Sequence, residues 1–335
     1  MPRVYPGSSA TASTFPLASS TVQSVPAPDS STQIRSLCQR GIFSNTGSGT
    51  FTISDVDVDD STSGLNFLNT TGIFNVTDVV ISNTTGGDGV SVTGGTTQAT
   101  FTNLDILTSG GSGTGMIVSN TGLTTVNGTA IIDSTGGPVL EIDPVQVDMT
   151  FTSLTSNTSG SEGILLDSLT AGSTFTVTGA TNIANATDEG IKITNSTGTI
   201  SFGTTTITDP GQTGIDVAST TGSFTIFSNG GGVIFTGANN ERGIEIDTST
   251  SLEVDIQGAG SGGSRFRVTG AGMGGSVLPA IEVDGADDIT LSNLLVDNND
   301  GDGININNNA STTDVDLTIT NVSVAGDGTF TNMTE

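Results

Sequence analysis

The chain has 335 residues, of which 33% are hydrophobic, 4% are aromatic and 47 are glycine, too few large apolar side chains for a broad globular core. Its formal charge of −27, from 34 acids against seven basic residues, repels nucleic-acid phosphates and anionic membranes, so neither is an expected partner. A single cysteine, Cys38, rules out an intrachain disulfide, and no run of 18 apolar residues offers a membrane-spanning helix.

Residues 1–40 are rich in Ser, Thr, Pro and Ala and show no periodicity, which reads as an extended leader. The stretch lacks the apolar segment of a secretory signal, so any export signal is expected to lie outside it or to be of another kind. Near its end, "TQIRSLCQR" (32–40) predicts a short amphipathic helical turn that caps the N-terminal end of the folded region, with Cys38 as a small buried apolar residue.

From Gly41 the chain repeats. The pattern Gly-[Ile/Val/Leu]-x-[Ile/Val/Phe], with Val or Ala twice replacing Gly, starts at Gly41, Gly64, Gly89, Gly115, Val139, Gly163, Gly190, Gly214, Gly243, Ala280 and Gly303. Most starts are 23 to 27 residues apart, and the longest intervals follow Gly214 and Gly243. Ten to fourteen residues into most units comes a second strand, such as "TFT" at 50–52, 100–102, 150–152 and 174–176 or "SFT" at 223–225. A third apolar element often follows, as in Val56/Val58, Val79/Ile81, Ile131 and Val322/Val324. Apolar and polar residues alternate with period two, which sets one face inward and the other in solvent.

Each unit is therefore predicted to be three short strands joined by Gly-, Asn- and Asp-rich corners. About eleven such units of roughly 25 residues predict an all-β parallel β-helix over 41–335, each coil burying its inner face against its neighbours. Phe51, Phe74, Phe101, Phe151, Phe175 and Phe224 are expected to form one inward ladder, with Val126 and Ile200 filling it between them. The Gly-rich stretch 258–279 reads as an insertion that bulges from its coil. In it Phe266 should point inward and Arg265 and Arg267 outward, either toward a partner or into salt bridges with neighbouring acids.

From Gly41 onward the chain resembles the right-handed parallel β-helix proteins, the pectate-lyase-like superfold. Within that group "GIKITNSTG" (190–198), "GIEIDTSTS" (243–251) and "LTITNVSV" (317–324) resemble the repeats of bacterial surface adhesins and autotransporter passengers. The resemblance implies a right-handed, single-stranded solenoid at the cell surface or outside it, acting as a fibre subunit, stalk or passenger segment. Its expected partners are copies of itself, other surface proteins or glycans.

Chemistry is expected on the outward positions of the coil-opening strands. One column reads Glu141, Leu165, Lys192, Asp216, Glu245, Glu282 and Asn305; two residues on stand Asp143, Asp167, Asp247 and Asp284. Neighbouring strands lie about 4.8 Å apart, so Glu245, Asp247, Glu282 and Asp284 should form a cluster of like charge. Such a cluster has three readings: a solvated acidic stripe, a Ca²⁺ site, or carboxylates for carbohydrate binding or cleavage.

"ADDITLSNLLVDNNDGDGINI" (286–306) resembles the catalytic Asp-Asp corner of polygalacturonases, with Asp287/Asp288 and Asp300/Asp302 as the candidates. That family also needs a histidine and an Arg-x-Lys motif. This chain has no histidine and only Lys192, so enzymatic activity is not the leading expectation. The lyases of the superfold need a basic residue over a Ca²⁺ site, a part that only Arg265 or Arg267 could play. "NNDGDG" (298–303) spaces Asn298, Asp300 and Asp302 like the first half of a calcium loop, but Asn309 stands where the loop's closing Glu belongs. A plain turn is the alternative. At the C-terminus Thr329-Phe330-Thr331 begins a further coil without a polar cap. Phe330 is thus an expected contact for a second copy stacking head to tail, unless the chain is part of a longer array.

Overall fold

Each coil-opening strand alternates so strictly that its side chains sort themselves. In Ile244–Asp247, Ile244 and Ile246 are fully buried while Glu245 and Asp247 stay partly exposed, and Ile281–Asp284 and Ile304–Asn307 repeat the pattern. The computed structural model describes residues 34–36, 41–237, 240–249, 251–273, 278–307, 316–325 and 330–334. Twelve opening strands, from Ile42–Asn45 to Phe330–Thr334, stack in chain order into one parallel sheet. Like stands on like along it: Ile244 is in register with Ile281 and Ile281 with Ile304. The remaining seventeen strands wrap the other sides in a second, also parallel, sheet. The result is a right-handed parallel β-helix of about eleven coils, roughly 25 residues apart. Among the described residues the only helical element is a 3₁₀ turn at Gly262–Ser264, and no helix is long and apolar enough to cross a membrane.

Three short strands per coil is an incomplete description. In the coils through Ile73–Thr84, Gln98–Ser109 and Thr124–Thr135, the second and third strands run together as one twelve-residue strand with a bend. The bend is a single left-handed residue: Asp78 (φ 54°), Asn103 (φ 56°) or Gly128 (φ 74°). Asp, Asn and Gly adopt that conformation at low cost, so the chain turns without breaking the ladder. The coil through Val147–Phe151 and Ser153–Asn157, and those from Thr221–Ser228 onward, keep the two strands separate.

The N-terminal cap also differs from expectation. Ile34–Ser36 is not helical; it is a strand that pairs in parallel with Val56–Val58. An unpaired strand edge is a row of free hydrogen-bonding groups, and three residues of chain suffice to occupy part of it. Cys38 lies outside the described residues. In the Gly-rich stretch 258–279, Phe266–Thr269 is itself the third strand of its coil, paired with Gly232–Ile234 and Leu294–Asp297. Its extra length is thus divided between the loops on either side.

The phenylalanines do not form one ladder. Phe101, Val126, Met149, Phe175, Ile200 and Phe224 share a column, as expected for Val126 and Ile200. Phe51 and Phe74 stand one inward position earlier, and Phe151 one later, in register with Val177 and then Phe202. Adjacent columns mesh instead. Ring centroids lie 5.7 Å apart for Phe151 and Phe175, 5.5 Å for Phe175 and Phe202, and 6.4 Å for Phe202 and Phe224. Tilted rings at such distances are favoured over a face-to-face stack. In the third element of its coil, Ile131 faces outward and Ala130 and Ile132 are the buried pair.

The abundance of Ser and Thr has an internal use. At the corners, buried hydroxyls close backbone and side-chain bonds from coil to coil: Ser196 Oγ accepts from the Leu169 amide at 3.1 Å, Ser249 Oγ from the Thr220 amide at 3.2 Å, and Thr108 donates to Ser134 at 2.8 Å. A corner turns amides away from the ladder, and an unpaired buried amide is costly.

Candidate functional site

The opening sheet carries its charges in register. Lys192 stands beside Asp216, Asp216 beside Glu245, Glu245 beside Glu282, and Glu282 beside Asn305. Two residues on, Asp247 stands beside Asp284 and Asp284 beside Asn307. The four carboxylates picked out by spacing are thus adjacent pairs on one solvent face.

Arg242, which spacing alone did not pick out, sits among them. Its Nη1 lies 3.3 Å from Glu245 Oε1, and its Nε pairs with Glu282 Oε2. One guanidinium therefore bridges two coils and pairs with two of the four carboxylates of the cluster. Lys192 forms a similar clamp, with Nζ 3.1 Å from Glu189 Oε1 and 4.0 Å from Glu162 Oε1. Arg242, Glu162 and Glu189 share a position that sequence could have flagged: each immediately precedes an opening glycine, as Asp88 and Asp302 do.

Asp216 lies between the two clamps and, among the described residues, has no ion-pair partner within 4.0 Å. Burial pushes its carboxyl up to about 6, helped by the charges of Glu245 and Glu189 and opposed by Lys192. Burial likewise raises Glu245 despite Arg242, and raises Glu141 with help from Asp88, Glu162 and Asp143. Asp88, Asp143 and Asp284 are raised by the same first cause. All six lie on or beside opening strands.

The other candidates are scattered. Asp287 and Asp288 occupy the corner before Ile289–Ser292, where their backbones bond Leu252 and Val254. Asp300 and Asp302 occupy the corner between Leu294–Asp297 and Ile304–Asn307. Asp300 is exposed, and the Asp302 carbonyl accepts from the Ala280 amide at 2.8 Å. The two pairs therefore sit at different corners of the coil. Asn299, donating to the Gly301 carbonyl at 2.6 Å, closes a tight turn here. Asn309 lies outside the described residues. Among the described residues no group of three or more His, Cys, Asp or Glu is arranged to hold a metal ion.

Phe266 is fully buried and the arginines beside it point away. Arg267 Nη2 lies 2.9 Å from Asp297 Oδ2, and Arg265 Nη2 donates to Asn321 Oδ1 at 3.0 Å. Both cations are thus engaged by the coils above. Phe330 is in backbone register with Ile304, and its side chain is outside the described set.

The fold and this face define a parallel β-solenoid with one acidic, register-stacked side. Comparison with protein-family models, with curated proteins and with solved structures finds no match.

Proposed function

We propose that this protein is a structural or adhesive β-helix of the cell surface or extracellular space: a stiff rod that gives reach and presents its faces to partners. The observation that carries this reading is the parallel pairing, in chain order, of the twelve opening strands, with a register shift only in the last pair. Each coil adds about 4.8 Å of rise and is tied to the next by main-chain hydrogen bonds, so the molecule resists bending along its axis. Its partners are further copies stacking head to tail, other surface proteins, or glycans. Electron microscopy and sedimentation over a concentration series test the assembly: end-to-end filaments that lengthen with concentration are expected. A monodisperse single rod at the highest concentration sinks head-to-tail stacking.

A second reading, carbohydrate binding or cleavage, has one observation of its own. Asp216, its carboxyl raised to about 6, stands beside Glu245 on the next strand. A protonated carboxyl next to an ionised one is the pairing that glycoside hydrolysis uses. Release of reducing ends from acidic or neutral polysaccharides, lost in Asp216→Asn and Glu245→Gln, would establish it; no release with the wild type removes cleavage.

A further inference from the structure

Each of the two cations in the stripe is shared by two carboxylates, Lys192 by Glu162 and Glu189 and Arg242 by Glu245 and Glu282, and among the described residues neither comes within 4.0 Å of Asp216. The charged groups facing Asp216 come from both neighbouring coils. The preceding one presents Lys192 and Glu189, with Glu162 a further coil back on Lys192, and the following one presents Glu245 and Asp247, with Arg242 held by Glu245 and Glu282. Its own strand, Ile215–Ala218, brings no other charge. A second observation points to the same place. Glu189 is only 6% exposed, and its Oε2 is buried with no hydrogen-bond donor, although its other oxygen holds Lys192. A buried carboxylate oxygen without a donor is unfavourable, and it adds to the field on Asp216.

We propose that this part of the stripe is a proton-operated joint: uptake of one proton at Asp216 on mild acidification removes its repulsion with Glu189 and Glu245 and tightens the stacking of the coils that open at Gly190, Gly214 and Gly243. The geometry makes the joint local, because in-register neighbours act across a single strand spacing. The sign is set by linkage. A carboxyl raised in the folded state stabilises the fold fully below its unfolded value, and that stability is lost as pH rises through about 6. The joint is therefore closed near pH 5 and open above pH 7. It is independent of whether the rod is adhesive or carbohydrate-active.

The test is urea unfolding of the full chain at about pH 5 and about pH 7.5, for the wild type, Asp216→Asn, and Asp57→Asn on another face as control. Between these pH values the wild-type unfolding constant should rise up to about tenfold more than that of Asp216→Asn, with the control tracking the wild type. Equal pH dependence in the wild type and Asp216→Asn overturns the joint. Should Asp216→Asn fail to fold, carboxyl-carbon NMR titration of the wild type decides: a midpoint near 6 for Asp216 supports the proposal and one near 4 overturns it. Stabilisation of the wild type by millimolar Ca²⁺ at about pH 7.5, abolished in Asp216→Asn, would make the ligand a metal ion and overturn the proton joint.

Discussion

At the scale of single residues, the interior is decided by which side of a strand a phenylalanine takes. Phe151 is fully buried against Phe175, whereas its neighbour Thr150 faces outward and is partly exposed. Phe151→Ala should cost about 3–5 kcal/mol, because the rings around it belong to neighbouring coils and can close the cavity only in part. Thr150→Ala should cost under about 1 kcal/mol. Chemical denaturation of the two variants checks the pair, and equal losses would contradict the inward–outward assignment. That assignment was legible in sequence because alternation is a property of the strand itself. The column was not. Coils that differ by one or two residues shift Phe151 and Phe51 to flanking columns, and "TFT" reads the same in every column. Arg242 was missed for a related reason: it belongs to the loop before the strand, and its link to Glu282 spans 40 residues of sequence.

At the scale of the element, the glycine that opens most coils is set by close approach. A Cβ on Gly190 would sit 2.5 Å from Ile207 Cγ2 and 2.6 Å from the carbonyl oxygen of Gly214, inside the distance at which atoms can remain. The third strand of the coil thus packs its β-branched residue directly on the backbone that starts the same coil. The coil that opens with Val139 offers Ser156 in register with Ile183, so a smaller side chain stands on the other side. Gly190→Ala should destabilise by about 1–3 kcal/mol through overpacking. Gly160→Ala, where a Cβ meets nothing within 4 Å, should stay within about 0.5 kcal/mol of the wild type. The double variant Gly190→Ala with Ile207→Ala should cost less than the two single losses added together, since each relieves the other. Additive losses would show that the two sites do not touch. The repeat of this glycine made the coil period readable from sequence. The fusion of second and third strands was not readable, because an Asn or Asp that bends a strand and one that ends it are the same letter.

At the scale of the whole molecule, stability is a sum over coils and their contacts, not one core that melts together. Coils in the middle are sealed from both sides: Phe175, Ile200 and Phe224 are all at most 1% exposed. At the ends of the described array Ile42, Phe51, Ile53, Leu317, Ile319 and Val324 are only partly buried against the same core. Backbone amides in the opening strands should therefore exchange with solvent along a gradient. Protection should be greatest from Ile164–Asp167 to Ile215–Ala218 and fall toward Ile42–Asn45 on one side and Ile304–Asn307 on the other. A central defect sharpens the test. Phe175 is in register with Met149 and Ile200, so Phe175→Ala should speed exchange in the coils that hold those residues. Val90–Gly95, three coils away, should be left unchanged, because nothing but intervening coils connects it to the defect. Hydrogen-exchange mass spectrometry resolves these segments. Uniform protection, or an equal rise in exchange everywhere in Phe175→Ala, would mean that the array unfolds as a single unit and that contacts between neighbouring coils do not set its stability.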